Sequence, residues 1–277
     1  MWFSVVVLLG VFGSLIGSFL NVVVYRLPLK RSLVSPPSAC GGCGARIRPW
    51  DNVPVLSWLV LRGRCRDCHS RISARYPLVE LGTAFFFGVV AWWGAGEVPS
   101  TEIVTSGSII ARVVTLAPFL YLAAVSVALA LIDLETHTLP NRIVLPSYPV
   151  GAVLLTAAAA LMGEPARMFA ALIGAGGLFG VYCLMALAYP AGMGWGDVKL
   201  AGVLGLYLGW LGWGQLAVGA FSAFLLGGLF ALVLLATRRV SRRSGIPFGP
   251  WMLAGAWLGI FYGEQIATGY LSLFGLA

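Results

Sequence analysis

Eight apolar runs, at roughly 2–24, 77–95, 111–132, 143–162, 168–189, 198–213, 215–236 and 250–274, leave this chain very few ways to fold. About 20 such residues cross the hydrocarbon of a bilayer as one helix. Only helices and closed barrels satisfy their own backbone hydrogen bonds there. Of the 277 residues, 59% are hydrophobic and 10% charged, against roughly a quarter charged in soluble domains. A soluble globular fold is therefore excluded, and so is disorder, which needs low hydrophobicity and high charge. The expected fold is an all-α polytopic membrane protein of about eight transmembrane helices. The N-terminal run lacks the basic leader of a cleavable signal and continues to Val24, so it is read as a retained first span.

Lys and Arg stay on the cytoplasmic side of short loops. Ten of the 18 lie in segment 26–75, and Arg142, Lys199, Arg238, Arg239, Arg242 and Arg243 fall on the same face under eight alternating spans. Only Arg112 and Arg167 fall opposite, which puts both termini outside. This retention accounts for the net charge of +8 without nucleic acid as a partner; the partner it implies is the lipid bilayer. The chain then divides into a first helix (1–25), a cytoplasmic loop domain (26–76) and a seven-helix core (77–277). Glycines inside the spans, such as Gly174, Gly176 and Gly227, suit close helix packing.

The loop carries Cys40-Gly41-Gly42-Cys43 and Cys65-Arg66-Asp67-Cys68, two C-x-x-C pairs 21 residues apart. Two tight turns of this kind can aim four sulfurs at one ion, and a closed four-sulfur site leaves no position for catalytic water. Structural zinc in a small zinc-ribbon-like domain is the favoured reading, since the segment has too few apolar residues for a core of its own. Two disulfides or a redox pair are the alternatives. Cys183, alone in an apolar span, reads as a packing residue.

Among ten acidic residues, Asp133 closes the third span and Asp197 opens the sixth, both at the cytoplasmic membrane face. A carboxylate at the edge of hydrocarbon is costly and points to function. The bland readings for Asp197 are a helix cap or an ion pair with Lys199. Two carboxyls sharing a site cannot both ionise, so one can activate water while the other donates a proton, as in aspartic proteases. A helix N-terminus favours charge on Asp197 and a C-terminus disfavours it on Asp133, which suggests Asp197 as the base and Asp133 as the acid, roles that coupled titration can exchange. Gly194 and Gly196, flanking Trp195, would let a substrate strand approach the backbone.

Taken together, these residues resemble the type IV prepilin peptidases, membrane aspartic proteases of the G-x-G-D group. The resemblance runs through Gly17-Ser18-Phe19-Leu20-Asn21, both cysteine pairs, Asp51-Asn52-Val53-Pro54, Arg75-Tyr76-Pro77-Leu78-Val79-Glu80, Asp133 with Leu139-Pro140-Asn141, Gly194-Trp195-Gly196-Asp197-Val198-Lys199 and Pro247-Phe248-Gly249-Pro250. It implies a multi-pass protein of the bacterial inner membrane whose partners are prepilin and pseudopilin precursors. The basic leader is cleaved after glycine at the cytoplasmic face, with Asp133 and Asp197 as the catalytic pair. It further implies methylation of the new N-terminus with S-adenosylmethionine. Gly194, Gly196, Lys199, Pro247 and Pro250 are candidate substrate contacts; Arg75 and Glu80 are candidate contacts for the methyl donor. The chain departs from the family pattern at three places. Proline is missing from the first cysteine pair, Asn141 stands where many relatives carry aspartate, and Trp195 replaces tyrosine or phenylalanine. A peptidase without methyl transfer is one alternative. An ion-coupled transporter using the same aspartates is another, although no internal repeat supports it.

Overall fold

A computed structural model describes residues 2–96, 106–190, 192–237 and 246–275. Each expected span falls on one helix: α1 (Trp2–Arg26), α3 (Arg75–Gly96), α4 (Ser106–Thr136), α5 (Asn141–Met162), α6 (Arg167–Ala188), α7 (Trp195–Leu211), α8 (Trp213–Ala236) and α9 (Gly249–Ser272). Six of them, α1, α3, α4, α5, α6 and α8, are long and apolar enough to cross a membrane. With 17 residues, α7 rises about 26 Å, just short of a hydrocarbon core of about 30 Å. The Arg238, Arg239, Arg242 and Arg243 cluster lies outside the described residues.

The chain forms two compact units, with α4 divided between them. In the first, α1 and α3 pack antiparallel. Small residues on α1 permit the approach: a side chain at Gly13 or Gly17 would run into Phe87 and Thr83 or the backbone of Glu80. At the two ends the helices are tied by Trp2 Nε1 donating to the Ala91 carbonyl at 3.1 Å and Asn21 Nδ2 donating to the Tyr76 carbonyl at 3.2 Å. Between α1 and α3 runs the loop, which holds a single 3-10 turn (Pro49–Asn52) and the short helix α2 (Leu56–Val60). Among the described residues it has no strand, only isolated bridges between Ala39 and Arg46 and between Arg64 and Arg71.

In the second unit α7 is the axis, buried along nearly its whole length from Val198 to Trp210. A helix apolar on every side requires neighbours on every side, and α5, α6, α8 and α9 supply them. The α6–α7 contact is backbone against backbone. A β-carbon at Gly205 would collide with the Gly174 carbonyl and reach the Ala175 α-carbon at 3.0 Å, and one at Gly209 would meet the Ala170 carbonyl at 2.5 Å. Neither neighbour can swing away as a side chain could. Gly205→Ala is therefore expected to destabilise the protein by about 1–3 kcal/mol. Thermal unfolding in detergent would read this as a lowered midpoint, with Gly176→Ala, which faces open space, as the silent control.

Candidate active site

Asp133 lies one turn before the end of α4 and is 4% exposed. Its Oδ2 accepts a hydrogen bond from the Gly249 backbone N–H at 3.1 Å, at the first residue of α9. Only glycine fits there, because a β-carbon would stand 2.7 Å from that same oxygen. After α4 the chain turns at His137, where φ is +51° and the N–H returns to the Asp133 carbonyl at 2.9 Å. His137 itself is exposed.

Asp197 is the third residue of α7 and half-buried. Its Oδ2 accepts the Gly194 N–H at 3.2 Å, so the carboxylate caps its own helix. The bland reading is thus realised in part, and it leaves Oδ1 for other work. The alternative bland reading, an ion pair with Lys199, gives way to a different contact, in which Lys199 Nζ donates to Asn141 Oδ1 at 3.0 Å. Two turns further along α5, Tyr148 donates its hydroxyl proton to the Lys199 carbonyl at 2.6 Å. These two bonds fix the start of α5 against the start of α7.

Asp133 and Asp197 are near enough to interact electrostatically. Leu139 joins their surroundings: a β-carbon at Gly196 would touch its Cβ at 3.0 Å, and one at Gly249 its Cδ2 at 3.2 Å. Two acids from distant parts of the chain are therefore held at one place, each by the backbone N–H of a glycine. Gly194 and Gly196 border this site, and Trp195 between them is 55% exposed. Pro247 precedes α9 in irregular backbone, whereas Pro250 is already helical. Pro250 therefore starts a helix, where its missing N–H costs nothing.

Gly249 and Leu139 are the members that residue chemistry did not single out, although both sit in stretches quoted above. A glycine between two prolines was the available signal for Gly249. Gly249→Ala is expected to displace the Asp133 carboxylate and lower kcat by roughly 100-fold, a misplacement effect, with KM little changed. Steady-state kinetics on a cleavable leader peptide would separate the two constants.

In the first unit the four cysteines come together, every Sγ within 4.8 Å of the others. The Cys40 to Cys68 separation is 3.7 Å, close to the edge of about 3.8 Å that a tetrahedron with Zn–S bonds of about 2.3 Å requires. The two turns are copies of one another. Cys40 N–H donates to Ala45 and Cys65 N–H to Ser70, both at 2.9 Å, while Gly44 and His69 donate back to Cys40 and Cys65 at 2.9 and 3.0 Å. His69 occupies the left-handed position, φ +57°, that Gly44 fills in the first turn at +73°, and it is not one of the converging donors. Ser70, followed by the backbone N–H groups of Cys43 and Gly42, brings the Cys40 thiol down to about 6. Cys43 is pushed up to about 11, the lowering effect of the Ala45 N–H being outweighed by Cys68, burial and the other thiols. A metal ion bound here would be held by the thiolate forms, so its binding would release the protons that remain on the sulfurs.

Arg75 opens α3, and Glu80, 8% exposed, lies five residues on. The Glu80 carboxylate accepts the Val55 backbone N–H at 2.7 Å, so it joins the loop to α3.

Residues 11–93 match the bacterial peptidase A24 N-terminal domain, and residues 120–233 match the type IV leader peptidase family. A protein of Pseudomonas putida named prepilin leader peptidase/N-methyltransferase is 36% identical over 98% of this chain and 95% of its own length. The chain belongs to the type IV leader peptidase family. Relatives of the same name in Pseudomonas aeruginosa, 34% identical over 95% of this chain and 92% of their own, and in Aeromonas salmonicida, 35% over 98% and 94%, extend the match. No solved structure is similar enough to this leader peptidase to be matched. The second family match contains Asp133 and Asp197, and the first contains all four clustered cysteines.

Proposed function

We propose that this protein removes the basic leader of type IV prepilins and pseudopilins after glycine, at the cytoplasmic face of the bacterial inner membrane, with Asp133 and Asp197 as the catalytic pair. The observation that carries the reading is their convergence at helix ends, with Gly249 and Gly194 N–H groups on one oxygen of each. Asp197 at a helix N-terminus, where the macrodipole favours negative charge, takes a proton from water. The hydroxide so formed attacks the scissile carbonyl, and Asp133 delivers a proton to the leaving amine. On the proposed topology of eight crossings, both acids lie on the side that holds most of the Lys and Arg. The substrate helix is proposed to leave the bilayer at this level, with Gly194, Gly196, Lys199 and Pro247 as its contacts.

The second activity is methylation of the new N-terminal amine. The relatives' shared name supports it, and S-adenosylmethionine is the donor that chemistry implies. Arg75 and Glu80 at the start of α3 are proposed as contacts for that donor, with one oxygen of the Glu80 carboxylate already taken by the Val55 N–H. Zinc on Cys40, Cys43, Cys65 and Cys68 is proposed as a structural ion that folds the loop. Purified protein incubated with a prepilin and S-adenosylmethionine is expected to yield a shortened product heavier by one methyl group at its N-terminus, read by mass spectrometry. Cleavage without the added methyl would reduce the protein to a peptidase. No cleavage by a folded, zinc-loaded sample would favour ion transport.

A further inference from the structure

We infer that the loop segment from Trp50 to Arg71 is an in-plane membrane anchor. Its apolar side enters the headgroup layer of an anionic phospholipid leaflet, and Arg62, Arg64 and Arg71 take lipid phosphates.

Depth is the first argument. Glu80 lies five residues inside α3, about 7–8 Å along the axis from Arg75, and α3 is long and apolar enough to cross a membrane starting at Arg75. Its carboxylate holds the N–H of Val55, the residue just before α2. The beginning of α2 is therefore level with the second turn of a membrane helix. It does not stand off in water. The local backbone is committed to this placement. Val55 has φ +61° and ψ −51°, and Leu56 N–H donates to the Pro54 carbonyl at 2.6 Å. That is a γ-turn of the strained hand, adopted by a β-branched residue, and such strain persists only where surrounding contacts impose it.

Surface chemistry is the second argument. Trp50 (65% exposed), Leu56 (61%), Leu59 (57%) and Val60 (76%) all present apolar surface, although none belongs to a helix long enough to cross the bilayer. Trp58 is different: its indole N–H donates to the Ile72 carbonyl at 3.1 Å and the ring packs over Gly63. Beside it opens a cleft of about 530 Å³ lined by Arg62, Arg64, Arg71 and Ser73. The two carboxylates of the loop are already used, Asp51 by Arg66 and Asp67 by Arg48. Arg62, Arg64 and Arg71 thus have no acidic partner among the described residues. An apolar face next to forked, permanently charged donors is the signature of an interfacial element on anionic lipid. A second copy of this chain would bring the same positive surface, and a basic leader peptide would be repelled, so charge selects the lipid.

The test uses the full-length zinc-loaded protein in vesicles of one part phosphatidylglycerol to three parts phosphatidylcholine. A nitroxide is attached through a keto amino acid at position 60, and separately at position 41, where open space surrounds the backbone. Collision with oxygen and with a water-soluble nickel chelate then gives depth. The label at 60 is expected about 5–10 Å into the headgroup boundary, open to oxygen and closed to nickel, while the label at 41 stays open to nickel. In vesicles of phosphatidylcholine alone, and in the Arg62→Gln, Arg64→Gln, Arg71→Gln variant, the label at 60 is expected to shift toward water. Equal nickel collision at 60 and 41 would overturn the anchor. Shielding from both reagents would overturn it in favour of a protein cover, and a depth indifferent to lipid charge and to the three arginines would overturn the phosphate contacts. No readout depends on enzymatic activity.

Discussion

Asp133→Asn and Asp197→Asn are each expected to lower prepilin cleavage by about 10²–10⁴-fold, the range associated with losing a positioned acid or base. The double variant is expected to be little worse than either, because two groups that hand one proton back and forth act as a unit. Asn keeps the shape of the carboxyl and can turn its amide oxygen toward the Gly249 or Gly194 N–H, so both hydrogen bonds survive. What it loses is the ability to carry the proton. The unfolding midpoint should stay near that of the unaltered protein, which separates lost chemistry from lost fold. A pilin supplied already cleaved should still be methylated by both variants if methyl transfer has a site of its own, and loss of methylation in both would place the two reactions on the same acids. Wild-type cleavage rates in either single variant would remove the two aspartates from the mechanism.

Removal of the metal is expected to have the second large effect. Binding energies of structural zinc in small peptides run to about 10–16 kcal/mol at pH 7, and in the loop few other interactions could replace that contribution. Wild-type protein should contain one zinc per chain, and Cys40→Ser or Cys65→Ser essentially none. Amide exchange across 39–46 and 64–71 should then rise to the unprotected rate, since the paired turns depend on the sulfurs converging, while α6 to α9 keep their protection. Cys183→Ser, distant in sequence and absent from the cluster, should retain the zinc. Proton release gives an independent check. Cys43, held up at about 11, keeps its proton at neutral pH until a cation displaces it, whereas Cys40 at about 6 has already lost its own. Loading at pH 7 should therefore release protons; affinity should already fall with falling pH at neutrality through Cys43 and fall more steeply below the Cys40 value. A loop that remains protected after chelation would end the structural role of the ion.

The helices, the cysteine pairs and the two acids were legible from local pattern alone. Apolar runs set the number and length of long helices because the bilayer solvent leaves the backbone no other choice. Two C-x-x-C turns define a four-sulfur cluster because the turn itself aims the ligands. Asp133 and Asp197 stood out because a carboxylate in that setting is costly without a function. Packing decided the remainder. Lys199 stands two residues from Asp197 in the chain, yet the approach of α5 brings Asn141 and Tyr148 to it instead. Glu80 also takes a backbone N–H from 25 residues earlier, a partner that its place in the chain does not reveal. Gly249 became part of the site only because α9 starts where α4 ends, 116 residues apart in the chain. Spacing encodes what neighbours along the chain can do together, since helix and turn geometry are local. The partner of a buried polar group comes from whichever element lies across from it, and that is settled only when the helices pack.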